Sequence, residues 1–196
     1  MTASMKRRDV VNALLEKRAG LLVVAGLGST AWDITAAGDS PLNFPLWGAM
    51  GNAAMIGLGL ALAQPRRRVL VLTGDGEMLM GLGSLATIGV QRPANLAVVV
   101  IDNERYGETG MQATHTASGA DLAKVALACG FASAIQVREP GGLAAVRAAI
   151  HGAPGPYFAQ LKVAAEKLPL VLPPRDGGVL KSRFRKALLG DAADLD

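Results

Sequence analysis

The feature that most constrains this sequence is an alternation. Short apolar runs, mostly rich in β-branched residues, recur along the chain, each separated from the next by a stretch of helical length. The runs Leu21 to Ala25, Val69 to Thr73, Leu96 to Ile101, Ala134 to Val137 and Tyr157 to Val163 read as strands. Their nearly continuous apolar character is what a sheet covered on both faces requires. Helices are expected at Ser4 to Ala19, Asn52 to Ala63, Glu77 to Val90, Asp121 to Cys129 and Gly142 to Ile150. In the first of these, Val10, Val11, Leu14 and Leu15 share a face that Arg7, Arg8, Glu16 and Lys17 avoid. Alternation of this kind implies an α/β fold, a doubly wound parallel sheet flanked by helices.

At 196 residues, with 51% hydrophobic and 18% charged, the chain can bury the core of one full-sized domain. That domain is expected over residues 1–165. Beyond it Pro169, Pro173, Pro174, Gly177 and Gly178 precede a basic amphipathic stretch from Val179 to Leu189, which reads as a C-terminal docking tail over 166–196. The net charge of +4 is dispersed except at Arg66 to Arg68 and Lys181 to Lys186, so no nucleic-acid footprint is expected. A lone cysteine, Cys129, excludes an internal disulfide and a Cys-rich zinc cluster within this chain. Asn12, Glu16, Lys17 and Arg18 interrupt the apolar N-terminal stretch, so it does not read as a signal peptide. The apolar segment Gly48 to Ala63 is shorter than the ~20 residues that span a bilayer. A cytoplasmic protein with no membrane contact is the expectation.

In doubly wound sheets ligands bind beyond the carboxyl ends of the strands. Here those places read Gly26-Leu27-Gly28-Ser29-Thr30, Gly74-Asp75-Gly76 and Asp102-Asn103-Glu104-Arg105-Tyr106-Gly107. Between Gly76 and Asp102 lie 25 residues, enough for one helix and one strand. A right-handed crossover therefore makes the second and third loops neighbours on one edge, where Asp75 and Asn103 can face a single cation. Carboxylate plus amide oxygen suits Mg²⁺, which prefers octahedral oxygen coordination commonly completed by phosphates.

Gly-Asp-Gly, about 25 residues, then an Asn pair resembles the cofactor motif of thiamine diphosphate enzymes, with Asp102 standing at the first Asn position. Leu85-Ala86-Thr87-Ile88-Gly89, Thr109-Gly110-Met111-Gln112-Ala113-Thr114 and Pro173-Pro174-Arg175-Asp176-Gly177 extend the resemblance over most of the chain. It looks like the pyrophosphate-binding, β-type subunit of the 2-oxo acid decarboxylases that act on sulfopyruvate or phosphonopyruvate. The resemblance implies thiamine diphosphate and Mg²⁺ as cofactors, with Asp75, Asn103 and the carbonyl of Arg105 on the metal. It puts Gly74, the amides of Gly76 and Glu77, and the hydroxyls of Ser29 and Thr30 near the diphosphate, together with Tyr106 and Glu108. The aminopyrimidine is expected against the carbonyl of Gly48 and the amide of Met50, whose side chain would force the two cofactor rings together.

The same resemblance implies a separate pyrimidine-binding, α-type subunit that supplies the activating Glu, in an α2β2 assembly acting on a small 2-oxo acid. Thr109 occupies the position at which some of these enzymes carry a catalytic Glu; the neighbouring Glu108 and the loop histidine His115 are the candidate catalytic residues. Arg105, Arg175 and Lys181 are candidates for an anionic substrate tail, and Gln112 and Thr114 for substrate contact. Three other readings stand beside this one. The cofactor could serve carboligation of the acetolactate type, or the chain could be a non-catalytic scaffold. Gly26-Leu27-Gly28-Ser29-Thr30-Ala31 also matches a dinucleotide fingerprint, although no strand ending in an acid follows at the required distance.

Overall fold

The computed structural model describes residues 5–194. Its strands are β1 (Leu22–Ala25), β2 (Asn43–Pro45), β3 (Val69–Gly74), β4 (Leu96–Asp102), β5 (Arg105–Tyr106), β6 (Gln112–Ala113), β7 (Ser133–Val137) and β8 (Tyr157–Lys162). Its α-helices are α1 (Arg7–Leu15), α2 (Ser29–Ala36), α3 (Ala53–Ala63), α4 (Asp75–Met80), α5 (Ser84–Gln91), α6 (Leu122–Ala128), α7 (Leu143–Gly152) and α8 (Gly177–Leu189). Ser4, where the first helix was expected to begin, lies outside the described residues.

Six strands form one parallel sheet in the order β2-β1-β3-β4-β8-β7, while β5 and β6 make a small antiparallel hairpin beyond the end of β4. Alternate residues along each strand enter different cores, because side chains in a strand point to opposite faces in turn. Val23, Leu70, Leu72, Ala97, Val99 and Leu161 pack on one face with Val10 and Leu14 of α1, Ile34 of α2, and Val146 and Ile150 of α7. Leu22, Val24, Val71, Val98, Val100 and Phe158 pack on the other with Leu58 of α3, Leu85 and Ile88 of α5, and Leu122 of α6. Both faces are covered, which is why the strands carry so few polar residues.

After β1 the chain moves outward to β2, then returns across β1 to build β3 on the other side. The order therefore reverses between β1 and β3, the kind of crevice in which α/β sheets bind ligands. The register sets what meets there: Gly74 pairs with Ile101, and Asp102 pairs with Lys162. Asp75, Asp102 and Lys162 consequently stand in a row across three adjacent strand ends.

Several elements differ from the sequence expectation. The helix expected over Glu77 to Val90 is broken into α4 and α5, because a side chain on Gly81 would overlap the carbonyl of Gly51, and the backbones meet there. The short strand β2 and the helix α2 were not anticipated. Pro41 and Pro45 disguise β2, yet an edge strand tolerates proline because one of its hydrogen-bonding sides faces no neighbour. The tail helix α8 lies against β2, with Leu180 and Phe184 buried and the Phe184 ring edge-on to Phe44 at 5.4 Å. No helix among the described residues is long and apolar enough to cross a membrane.

Candidate functional site

The loops after β1, β3 and β4 enclose a cleft of about 170 Å³, lined by Leu27, Ser29, Thr30, Met50, Gly74, Asp75, Gly76, Glu77, Asn103, Arg105, Tyr106 and Glu108, with Arg7, Ile101, Gly107 and Thr109. The spacing argument is realised here: both acid-bearing loops reach one cavity. Asp75 is 2% exposed and its Oδ2 accepts hydrogen bonds from the hydroxyls of Thr114 at 2.5 Å and Thr116 at 3.4 Å. Burial pushes its carboxyl up to about 6; the Thr114 hydroxyl opposes this and the charge of Asp102 adds to it. An anion held so unfavourably gains from a cation beside it. Asn103 accepts a hydrogen bond from the amide of Arg105 at 3.0 Å, a tight turn that orders the loop.

Gly76 has no room for a side chain, since a Cβ would lie 2.6 Å from the Tyr106 ring. The backbone at this point is therefore open to a ligand on one side and sealed by Tyr106 on the other. Glu77 is buried at 4% exposure and extends behind the cleft, where its carboxylate fills the space against Gly26. Its Oε2 accepts from Thr73 at 2.9 Å, while Oε1 has no hydrogen-bond partner among the described residues. Burial raises its pKa, with the Thr73 hydroxyl and the nearby amides of Ala53, Gly51 and Leu27 opposing. Glu77 thus reaches from the first turn of α4 into the space between the loops before α3 and after β1.

The remaining expected residues fall into different positions. Ser29 and Thr30 both line the cleft, but the Thr30 hydroxyl donates to the Gly26 carbonyl at 2.9 Å within its own helix. Met50 lies 37% exposed between Ala49 and Gly51, both in the left-handed region, at φ 58° and 88°. Gly48 lies on the exposed surface before it, outside the cleft lining. Glu108 turns inward against Gly28 and lines the cleft. His115 does not: it opens a 3-10 turn and borders a separate shallow depression with Ala113, Thr114, Ser118 and Ala120. Of the three basic candidates Arg105 reaches the cleft, whereas Arg175 sits over the Trp47 ring at 5.9 Å and Lys181 lies on α8. Thr114 is buried and bound to Asp75, and Gln112 is bound to Thr109.

Sequence reasoning missed a buried polar network. Asp102 is fully buried and accepts from the Glu104 amide at 2.9 Å, the Thr116 hydroxyl at 2.8 Å, Gln160 Nε2 at 2.6 Å and Lys162 Nζ at 2.8 Å. Gln160 also accepts from the amide of Leu122 at 3.0 Å, and so ties the first turn of α6 to the site. Arg7 was missed as well. It is 6% exposed, lines the cleft, and pairs with Asp33 of α2, as does Arg8. The available signal was polarity itself: Gln160 and Lys162 interrupt a run otherwise apolar enough to be buried on both faces, and a buried lysine needs a partner. The dinucleotide reading loses its support, since β2 ends at Pro45 with no acid.

Comparison with known proteins agrees with this geometry. The family model described as thiamine pyrophosphate enzyme, C-terminal TPP binding domain, matches residues 28–161. Sulfopyruvate decarboxylase subunit beta of Methanocaldococcus jannaschii is 41% identical over 127 residues, 64% of this chain and 67% of that subunit. Phosphonopyruvate decarboxylase of Streptomyces viridochromogenes is 46% identical over 109 residues, which are 56% of this chain but only 27% of that protein. A thiamin diphosphate-dependent enzyme from Mycobacterium smegmatis shares the fold, with a TM-score of 0.71 at 23% identity, over 84% of this chain and 33% of its own. With the matched segment running from the loop after β1 through β8, the chain belongs to the thiamine pyrophosphate enzymes, as their C-terminal cofactor-binding domain.

Proposed function

We infer that this chain forms the diphosphate- and metal-holding wall of a thiamine diphosphate site in a two-subunit enzyme that decarboxylates a 2-oxo acid. The observation that carries the reading is the meeting of Asp75, Gly76, Asn103 and Arg105 in one cleft at the ends of adjacent strands. The residues fit the cofactor. Asp75 is an anion with no cation among its hydrogen-bond partners, and Gly76 lines the cavity without a side chain of its own. Asp75, the Asn103 side-chain oxygen and the Arg105 carbonyl would hold Mg²⁺, with diphosphate oxygens and water completing six oxygen ligands. Among the described residues no group of three or more His, Cys, Asp and Glu offers a closed metal cage. A site with few protein ligands suits a metal shared with a phosphate.

Gly74 and the amides of Gly76 and Glu77 would bind the diphosphate, with the Ser29 hydroxyl beside them, since that of Thr30 is committed to its helix. The Gly48 carbonyl and the Met50 amide would meet the aminopyrimidine, with the Met50 side chain beneath the rings. When bound, thiamine diphosphate supplies an electron sink for the pair left behind as carbon dioxide departs. The protein's part is to orient, exclude water and handle protons. Glu108 and Tyr106 are the cleft residues placed for the last of these, and Glu108 is the proposed donor.

A cavity of about 170 Å³ is smaller than the ~300–1,000 Å³ usual for cofactor sites, which supports a second wall from another chain. The relatives fit that arrangement: one is named as a subunit beta, and in the other the matched segment is about a quarter of a longer chain. A pyrimidine-binding subunit in an α2β2 assembly, bringing the activating Glu, completes the reading. The segment 166–196 is proposed to dock it, since Leu170, Val179 and Leu189 are left exposed around α8. The names of the relatives support a 2-oxo acid bearing a sulfonate or phosphonate, and a cytoplasmic location is proposed alongside it. Titration of thiamine diphosphate with and without Mg²⁺, followed by tryptophan fluorescence, tests the cofactor half. Saturable Mg²⁺-dependent binding that is lost in Asp75→Ala is expected, and equal binding in Asp75→Ala refutes the metal assignment.

A further inference from the structure

Lys162 lies at the end of β8, directly opposite Asp102 in the parallel register. Its ammonium reaches Asp102 Oδ2 at 2.8 Å, Glu104 Oε1 at 2.7 Å and the Thr116 carbonyl at 3.4 Å. Asp102 and Glu104 are the two neighbours of Asn103 in the chain. One cation therefore grips both sides of the residue assigned above to the metal. The turn between them needs a grip, because Glu104 holds a left-handed backbone at φ 61°, a conformation costly for a residue with a side chain. The Glu104 carbonyl also accepts from the Thr114 amide at 3.1 Å, and the Thr114 hydroxyl is the one bound to Asp75.

We propose that Lys162 is a positioning residue for the metal loop, fixing the turn that presents Asn103 and the Arg105 carbonyl, and that it is charge-matched to Asp102. This rests on the cofactor reading above. The match is chemical. Asp102 receives four donors, among them Lys162 Nζ and Gln160 Nε2 on the same oxygen, Oδ2. An asparagine at position 102 would have to turn either its amide nitrogen toward those two donors or the same nitrogen toward the Glu104 amide and the Thr116 hydroxyl. Aspartate at the first motif position is thus the residue that Lys162 demands, and Lys162 is the cation that lets a second carboxylate be buried beside Asp75.

The test is Mg²⁺ half-saturation at fixed thiamine diphosphate, read by tryptophan fluorescence on the full chain assembled with its partner subunit. Circular dichroism and melting temperature are measured alongside. Lys162→Met is expected to raise the Mg²⁺ requirement about 10- to 100-fold, the range seen when a group supporting a metal ligand is removed. Glu104→Gln leaves the buried pair intact and removes only its partly exposed arm, so it keeps the melting temperature and raises the requirement about two- to threefold. The neutral pair Asp102→Asn with Lys162→Met should recover part of what Lys162→Met loses, since Gln160 Nε2 still faces position 102, whereas a general packing defect would recover nothing. If Lys162→Met does not fold, Glu104→Gln and the double variant decide. Unchanged Mg²⁺ half-saturation in the folded variants, or a double variant worse than both singles, overturns the proposal. A wild-type assembly with no Mg²⁺-dependent binding overturns the cofactor reading, and this one with it.

Discussion

Asp75 keeps a carboxylate where water does not reach it, and the direction of its titration follows. Folded, it holds its proton up to about pH 6, against an ordinary value of 3.8. This raised value favours the folded state fully below about pH 4, and the advantage is lost as pH rises through 6. Without metal, Asp75→Asn is therefore expected to stabilise the chain at pH 8 by about 1–3 kcal/mol relative to wild type, and not at pH 4. Denaturant midpoints of both proteins across that range check it. In Mg²⁺ and thiamine diphosphate the order should reverse, because a charged carboxylate binds the cation more strongly than a neutral amide does. Gly26 makes a second prediction at this scale. A Cβ there overlaps the Glu77 carboxylate, so Gly26→Ala should cost about 1–3 kcal/mol, and Gly26→Ala with Glu77→Ala should recover part of it in a double-mutant cycle.

At the scale of elements, five of the six strands of the sheet and most of the helices could be read from periodicity, because burial on both faces leaves β-branched runs that few other structures produce. What escaped has physical reasons. Three residues that end on a proline carry no periodic signal, so β2 emerges only through pairing with β1. The break between α4 and α5 comes from contact between Gly81 and Gly51, thirty residues apart in sequence, which local propensity cannot register. In the site, the meeting of Asp75 and Asn103 was legible because the crossover rule makes their loops neighbours, whereas Arg105 was named only through the resemblance. Lys162, Gln160 and Arg7 were hidden, since their partners are set by strand register and helix packing and not by spacing. The tail helix offers a contrast between stability and function. Phe184→Ala removes an edge-on contact with Phe44 and should lower stability by about 3 kcal/mol while leaving the thiamine diphosphate affinity unchanged. Thermal melts and fluorescence titration of the same preparation separate the two effects.

For the whole molecule, the switch between β1 and β3 opens a crevice at one sheet edge, where the loops after β1, β3 and β4 bring Ser29, Asp75 and Asn103 together and the segment between β2 and α3 adds Met50. In the proposed function the activating carboxylate that the resemblance calls for comes from a separate subunit. Glu77 is committed behind Gly26, and Glu108 is folded against Gly28. This division gives the account its central claim, that one chain holds the diphosphate and metal while another completes the chemistry. The most direct measurement is carbon dioxide release from sulfopyruvate or phosphonopyruvate, with thiamine diphosphate and Mg²⁺, by each subunit alone and by the two mixed. Turnover is expected only in the mixture, and is lost when this chain carries Asp75→Ala. Turnover by this chain alone at the rate of the mixture would contradict it.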